Sequence, residues 1–175
     1  MRIRECDGVY PPSDDSLFLL EVVMKELQNL KIIVKRPKVL EIGTGTGLIA
    51  INLAKHDAIV TATDISYKAV KCAELNAKIN GVNIDIRQGD LFEPISSEEL
   101  FDLIIFNPPY LVKDELDKYI NSSMLLAIRG NHEPIELLHR FVEDSIQHLS
   151  QDGRVVFLIE SKLFNMLKEK LILLH

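Results

Sequence analysis

The sequence predicts an α/β fold with a mainly parallel sheet and helices on both faces. Two observations predict it. Short apolar runs of the kind that form strands alternate with longer amphipathic runs through most of the chain. The apolar runs are rich in Val, Ile and Leu, as expected of strands buried on both faces. A length of 175 residues with 47% apolar residues suits one domain with a substantial core, and we predict a single domain over residues 1–175.

Five short segments are predicted strands, because each is apolar and most are bounded by Gly, Asp or Asn. They are Lys38–Ile42, Ala58–Thr63, Asn83–Arg87, Leu103–Phe106 and Arg154–Ile159. Four segments with apolar residues three and four positions apart are predicted helices. They are Ser13–Leu30, Leu48–Lys55, Ser66–Asn80 and Glu133–Leu149. The stretch Val112–Gly130 fits neither pattern.

Composition and charge exclude several classes of protein. A net charge of −6 and an isoelectric point near 5.4 disfavour autonomous binding to nucleic acid. We expect no contact with a membrane and a cytoplasmic location, because no apolar run approaches the roughly 20 residues that span a bilayer. Cys6 and Cys72 have neither metal-ligand spacing nor the density of a disulfide scaffold, so we expect them to be reduced. The five histidines form no ligand pattern, and no metal is expected.

A glycine-rich turn follows the first predicted strand and opens the next helix. Gly43, Gly45 and Gly47 are spaced G-x-G-x-G, and Glu41 precedes them within the strand. In an open α/β sheet such a turn lies at the carboxyl end of a strand, where ligands bind. A dinucleotide site would read G-x-G-x-x-G, and the Glu41 carboxylate would repel a pyrophosphate but attract a cation. Taken alone, the motif is also compatible with an ordinary tight turn.

Acidic residues also follow the second and third predicted strands. Asp64 is placed to accept hydrogen bonds from both hydroxyls of a ribose, and Asp90 to accept one from an exocyclic amine while Leu91 packs on the ring. An Asp at a strand end is often only a helix cap. Three acidic residues at successive strand ends nevertheless indicate a site for a nucleoside that carries positive charge.

The segment Asn107-Pro108-Pro109-Tyr110 ends the fourth predicted strand. Two consecutive prolines fix φ and lack N–H groups, so the turn is rigid. The Asn107 side-chain oxygen and the Pro108 carbonyl can accept both hydrogens of a planar NH2 group, while Tyr110 stacks on the substrate. This arrangement favours a pyramidal nitrogen with its lone pair exposed. The alternative is a turn that merely terminates a strand.

Together these motifs resemble the class I S-adenosylmethionine-dependent methyltransferases over nearly the whole chain. The resemblance implies a Rossmann-like core over residues 37–175 and S-adenosylmethionine as cofactor. It implies that the three glycines of the turn accommodate the methionine part and that Asp64 holds the ribose. By the same resemblance Asp90 and Leu91 hold the adenine, and Asn107 carries the catalysis.

The segment Val9–Phe18 resembles the N-terminal segment of the HemK-related enzymes, which methylate a glutamine of translation release factors. The residues that match are Tyr10, Pro12, Asp15, Ser16 and Phe18. The resemblance implies that residues 1–30 form a segment and helix over the cofactor, with the Ser16 hydroxyl near its methionine end. Read alone, the segment could be an ordinary helix cap with an apolar anchor.

The short form resembles the archaeal and eukaryotic branch, which works with a small zinc-binding activator protein along an edge strand. The candidate edge is Asn83–Arg87, although Ile84 and Ile86 could equally fill the core. Two features depart from the family. The substrate loop has one glycine in Ala127–Asn131, and because the given sequence stops at His175 we expect one or both of the family's final antiparallel strands to be absent from it, either through truncation or because a partner caps the edge.

Two other functions remain open at this stage. One is methylation of adenine N6 in DNA or RNA, because the Asn-Pro-Pro-Tyr turn also occurs in such enzymes. The other is a catalytically silent, cofactor-binding subunit that scaffolds a partner. We favour N5-methylation of a release-factor glutamine.

Overall fold

The computed structural model describes residues 1–109 and 134–172. Helices and strands alternate along them. In chain order they are α1 (Asp14–Leu30), β1 (Lys38–Ile42), α2 (Leu48–Lys55), β2 (Ile59–Asp64), α3 (Tyr67–Asn80), β3 (Asp85–Gln88), β4 (Phe101–Phe106), α4 (Pro134–Gln147), β5 (Leu149–Phe157) and α5 (Ser161–Ile172).

The strands form one five-stranded sheet in the order β3-β2-β1-β4-β5, and all four pairings are parallel. This confirms the predicted fold class. The strand order reverses between β1 and β4, and the crevice beyond the carboxyl ends of two such strands is where open α/β sheets bind ligands. Ile42 pairs with Phe106 in the register of β1 and β4. Gly43 and Asn107 therefore leave the sheet side by side.

Each face of the sheet carries its own apolar core, because successive side chains of a strand point to opposite faces. On one face α1 and α2 pack against β1, β2 and β4, with Val39, Ala62 and Leu103 in the contact. On the other face Phe141 of α4 is fully buried against β4, its ring centroid 4.8 Å from that of Phe106. Helices on both faces hold the strand ends in place.

The predicted element bounds hold closely where local signals are strong. β1 and α2 match the prediction end to end, and Ser13 and Ser66 are the N-cap residues of α1 and α3 rather than their first helical residues. β4 begins earlier than predicted, at Phe101. β5 also begins earlier, at Leu149, which pairs with Phe101 before a register shift; pairing then resumes at Arg154.

After β5 the described chain continues as a helix rather than as a strand. α5 buries Leu167, and no antiparallel strand is present in residues 1–109 and 134–172. Tyr110 and the stretch Val112–Gly130, for which the sequence predicts neither helix nor strand, lie outside the described residues. Within the described parts of the chain, none of the helices has the length and apolar character that a bilayer crossing requires.

The expectation of reduced cysteines is wrong in this structure. Cys6 and Cys72 form a disulfide, with their Cα atoms 6.0 Å apart. Residues before α1 run along α3, which carries Cys72, and hydrogen bonds from that helix place Cys6 beside it. Spacing in the sequence could not show this, because the two cysteines are 66 residues apart. Cys72 is buried within helix α3.

Candidate active site

A cavity of about 390 Å³ opens at the carboxyl ends of β1, β2 and β4. Its walls come from four parts of the chain: the segment before α1, the glycine-rich turn, the ends of β2 and β3, and the turn after β4. The predicted site residues among its lining are Ser16, Glu41, Gly43, Gly45, Asp64, Asp90, Leu91, Asn107, Pro108 and Pro109. Gly47 lies directly behind this wall, at the start of α2.

All three glycines of the turn have left-handed φ angles, of 66°, 56° and 81° for Gly43, Gly45 and Gly47. Glycine adopts such angles at little cost in free energy because it has no Cβ, whereas other residues are strained by them. A Cβ on Gly47 would lie 3.2 Å from the Cβ of Ala73 in α3, so the turn packs directly on that helix. A Cβ on Gly45 would meet nothing within 4 Å, so this glycine faces open space. The turn thus offers its backbone to a ligand at Gly45.

Glu41 is 4% exposed and holds the turn in place. Its Oε2 accepts hydrogen bonds from the Thr44 hydroxyl at 2.7 Å and from the Ala50 amide at 3.0 Å. Because the N-cap Gly47 has no side chain, this carboxyl group from β1 caps helix α2 instead. Burial raises the pKa of Glu41 to about 7. Glu41 is thus a wall residue of the cavity that also orders its backbone.

Asp64 ends β2 opposite the glycine-rich turn. Its Oδ2 accepts a hydrogen bond from the Gly45 amide, and its Oδ1 one from the Ser66 amide, both at 2.9 Å. Burial raises the pKa of Asp64, and the two amide hydrogen bonds oppose that shift. The carboxylate lies in the cavity wall, with each oxygen fixed by one backbone amide.

Asp90 and Leu91 follow β3 at the far side of the cavity. Leu91 has φ of 45°, which is unusual for a bulky residue, and its side chain is buried. The hydroxyl of Thr63 donates to its carbonyl at 3.4 Å. Asp90 Oδ2 forms an ion pair with Arg140 of α4 at 3.0 Å. Sequence reasoning missed Arg140, because its partner is 50 residues away and no local pattern marks it.

Asn107 follows β4 and carries the most informative atom of the site. Its Oδ1 is buried and has no hydrogen-bond partner among residues 1–109 and 134–172. A buried carbonyl oxygen without a partner is costly, so such an atom indicates a group that a ligand is to satisfy. Pro108, next to it, is buried, and both lie in the cavity wall. Tyr110, the last residue of the predicted turn, is outside the described residues.

Ser16 lies in the first turn of α1. Its Oγ accepts a hydrogen bond from the Ser13 backbone amide at 3.4 Å and lies 3.3 Å from Oγ of Ser13. This is half of a capping box, and the same side chain lines the cavity. Ser16 therefore both accepts the amide of the N-cap residue Ser13 and contributes to the cavity wall.

The groups that line the cavity fit S-adenosylmethionine. Two carboxyl groups, Glu41 and Asp64, suit a cationic ligand, and the open backbone at Gly45 allows the ligand to approach closely. The Asn107 oxygen, which has no partner among the described residues, can accept a hydrogen bond from an N–H group. Among the described residues, no group of three or more His, Cys, Asp or Glu is arranged to hold a metal ion.

Comparison with known proteins agrees with this geometry. Residues 14–129 match the family model of the Methyltransferase small domain. A Methanocaldococcus jannaschii protein, provisionally named a protein N5-glutamine methyltransferase, is 43% identical, with 89% of this chain and 73% of that protein covered. The release factor glutamine methyltransferase of Streptococcus pneumoniae is 34% identical over 89% of this chain, which spans 55% of that enzyme.

A solved structure has the same fold. The ribosomal protein L11 methylase of Lactobacillus delbrueckii superposes with a TM-score of 0.68 and 26% identity, over 97% of this chain and 73% of that one. The family match covers more than half of the chain, and the M. jannaschii relative is similar over most of its own length. The chain therefore belongs to the Methyltransferase small domain family and, within it, to the HemK-related S-adenosylmethionine-dependent methyltransferases.

Proposed function

We propose that the protein methylates the side-chain nitrogen of a glutamine in a translation release factor. The observation that carries the proposal is the buried, unpaired Oδ1 of Asn107 in the cavity wall beside Pro108. The names of the relatives from M. jannaschii and S. pneumoniae support a glutamine as the acceptor. The chain spans only about half of the streptococcal enzyme. The main support for this activity is therefore the geometry of the cavity in this chain.

The cofactor would lie between the glycine-rich turn and the end of β3. The backbone at Gly43, Gly45 and Gly47 would accommodate the methionine part, with Ser16 above it. Asp64 would hold the ribose hydroxyls, and Asp90 with Leu91 the adenine. When bound, S-adenosylmethionine supplies a methyl group activated by a sulfonium sulfur.

The turn after β4 would act on the substrate amide. A glutamine amide is a weak nucleophile, because its nitrogen lone pair is delocalised into the carbonyl. Asn107 Oδ1 would accept one N–H of the substrate amide, and the Pro108 carbonyl oxygen would accept the other. Two fixed acceptors favour a pyramidal nitrogen and aim its lone pair at the methyl carbon. Positioning of this kind contributes up to about 7–11 kcal/mol in well-oriented systems.

In the transfer, the glutamine nitrogen would form a bond to the methyl carbon, the bond between that carbon and the sulfonium sulfur would break, and one of the two amide protons would pass to solvent water. The substrate amide is neutral, so no strong base is needed to prepare it for attack. Glu41 serves another purpose, because its carboxyl is already bonded to the Thr44 hydroxyl and the Ala50 amide.

Transfer of a tritiated methyl group tests the proposal. The protein is incubated with labelled S-adenosylmethionine and, in parallel, with a purified release factor, duplex DNA or transfer RNA. Label in the release factor supports the proposal. Label in nucleic acid alone would refute it and indicate an adenine N6-methyltransferase. Cofactor binding without transfer to any of the three would indicate a silent scaffold subunit.

We also propose that a small zinc-binding activator protein pairs with β3. This strand is an edge of the sheet in the described chain, which leaves one side of its backbone available for an added strand. Ile84 and Ile86 are only partly buried and pack against the core, so the edge backbone would form the contact rather than these side chains. Such a pair would work in the cytoplasm, where release factors act.

Hydrogen exchange tests the activator proposal. Adding a zinc-binding activator protein to the chain should slow amide exchange in residues 85–88 and give a one-to-one complex on gel filtration. Protection elsewhere on the sheet, or no complex at all, would contradict it.

A further inference from the structure

The first residues of the chain form a strap over helix α3, defined here as residues 1–9. Asn76 of α3 binds the strap through the backbone N–H and the backbone carbonyl of Arg4. Its Oδ1 accepts the Arg4 amide at 2.8 Å, and its Nδ2 donates to the Arg4 carbonyl at 3.0 Å. One turn later, Asn80 holds Arg2 in the same manner, at 3.0 Å and 2.6 Å. Two asparagines four positions apart thus fix the strap to the helix.

Asn76 differs from Asn80 in a further contact. Its Nδ2 also donates to the carbonyl of Thr46 in the glycine-rich turn, at 2.9 Å. The Asn76 side chain is fully buried, whereas Asn80 is partly exposed and otherwise bonds only within its own helix, to the Asn76 carbonyl. One buried amide therefore links two segments that are distant in sequence.

Both of these segments line the cavity. The strap ends at Gly8 and Val9, which lie in the cavity wall. Thr46 lies in the part of the wall that the glycine-rich turn forms, between Gly45 and Gly47. α3 is packed so closely on the turn that a Cβ on Gly47 would approach the Ala73 Cα to 3.3 Å. Asn76 thus stands behind the cavity at the junction of its two walls.

We propose that Asn76 is a positioning residue for the cofactor, one that couples the strap to the glycine-rich turn. Its two donated hydrogen bonds fix the distance between the walls, so that the backbone at Gly45 and the strap at Val9 close on S-adenosylmethionine together. Asn76 itself touches no ligand. This inference rests on the proposed function only in that the cavity binds S-adenosylmethionine.

Three variants of the full chain test the coupling, all with the Cys6–Cys72 bond reduced so that a covalent link cannot replace the hydrogen bonds. Asn76→Ala removes every side-chain bond. Asn76→Asp keeps the acceptor for the Arg4 amide and removes the donor to both the Arg4 and the Thr46 carbonyls. Asn80→Ala is the matched control, since it loosens the strap without touching the turn. The readouts are the Kd for S-adenosylmethionine by calorimetry and amide exchange at Arg4.

We expect both Asn76 variants to raise the Kd about tenfold or more, the effect of about one buried hydrogen bond, and Asn80→Ala to change it less than twofold. In the wild type, cofactor binding should slow exchange at Arg4, which does not line the cavity, and Asn76→Asp should abolish this effect. Equal Kd values in folded Asn76 and Asn80 variants would overturn the proposal.

The wild-type exchange measurement decides the matter even where a variant fails to fold. If S-adenosylmethionine binds and exchange at Arg4 does not change, the coupling is absent. If the wild type does not bind S-adenosylmethionine at all, the proposed function fails instead.

Discussion

The Glu41 carboxyl of strand β1 accepts the backbone amide of Ala50, 3.0 Å away in the first turn of helix α2. A strand residue thus caps the helix that follows it, and the glycine-rich turn between them is held at both ends. This leaves Gly43 and Gly45 free to provide backbone rather than side chains to the cavity. The first prediction concerns the proton on this carboxyl group.

Glu41 should make the stability of the protein depend on pH. Burial raises its pKa from 4.5 to about 7, so between these values the folded chain holds a proton that the unfolded chain has lost. The free energy of unfolding should therefore be highest at low pH and fall as the pH rises to about 7, by up to about 3 kcal/mol from this group.

Urea denaturation of the wild type and of Glu41→Gln between pH 4.5 and 8 measures the effect of Glu41. Gln keeps an acceptor for the Ala50 amide but does not titrate, so the difference in stability between the two proteins should grow with pH in favour of the variant. Parallel profiles would show that Glu41 is not the group responsible.

Gly47→Ala should destabilise the fold more than Gly81→Ala does. Both glycines have left-handed φ angles, of 81° and 67°, and alanine in such a conformation costs about 1 kcal/mol. Only at Gly47 would the new Cβ also crowd Ala73, at 3.2 Å, which raises the expected loss to about 2–3 kcal/mol. Chemical denaturation of the two variants gives the comparison, and equal losses would contradict close packing of the turn on α3.

Asp64→Asn should weaken binding of S-adenosylmethionine about 10- to 100-fold, because charge-assisted hydrogen bonds to a ligand contribute about 1.5–3 kcal/mol. Asp57→Asn is the matched control. Asp57 is exposed and forms a surface ion pair with Lys31, and asparagine tolerates its positive φ. Calorimetry should find the Kd of the control unchanged. A normal Kd for Asp64→Asn would remove Asp64 from the cofactor site.

The Cys6–Cys72 bond should stabilise the oxidised protein. It closes a loop with a sequence separation of 66 residues, for which the loss of chain entropy in the unfolded state corresponds to about 4 kcal/mol. Cys6→Ser should therefore unfold at a lower denaturant concentration than the oxidised wild type and at about the same concentration as the wild type in reductant. Alkylation of two thiols in the native, unreduced wild type would show that the bond does not form.

Local signals in the sequence predicted the fold and most of the site. Strand β1 and helix α2 could be bounded to the residue, because a buried apolar run leads into a glycine-rich turn whose φ angles only glycine adopts readily. The same turn, together with Asp64 and Asn107, located the cavity, since parallel strands end at one edge of the sheet.

The start of β4 and the roles of Arg140 and Asn76 could not be predicted from the sequence, because they depend on tertiary contacts. β4 was predicted to begin after Asp102, a polar residue inside an apolar strand. In the fold its carboxylate accepts the Lys38 amide at 2.8 Å and the Ser150 hydroxyl at 2.7 Å. Similarly, nothing near Arg140 or Asn76 in sequence marks their partners, which lie 50 and 72 residues away. Such roles depend on contacts that only the folded chain creates.

Mapping the methylated residue in a release factor tests the central claim most directly. Mass spectrometry should find one added methyl group on a single glutamine after incubation with the wild type and S-adenosylmethionine. Asn107→Ala should lower the turnover number about 10²- to 10³-fold, the loss typical of one fixed hydrogen-bond partner of the transition state. Asn29→Ala, exposed near the end of α1 and outside the cavity lining, should leave turnover unchanged. A methyl group on another residue type, or full turnover in Asn107→Ala, would contradict the account.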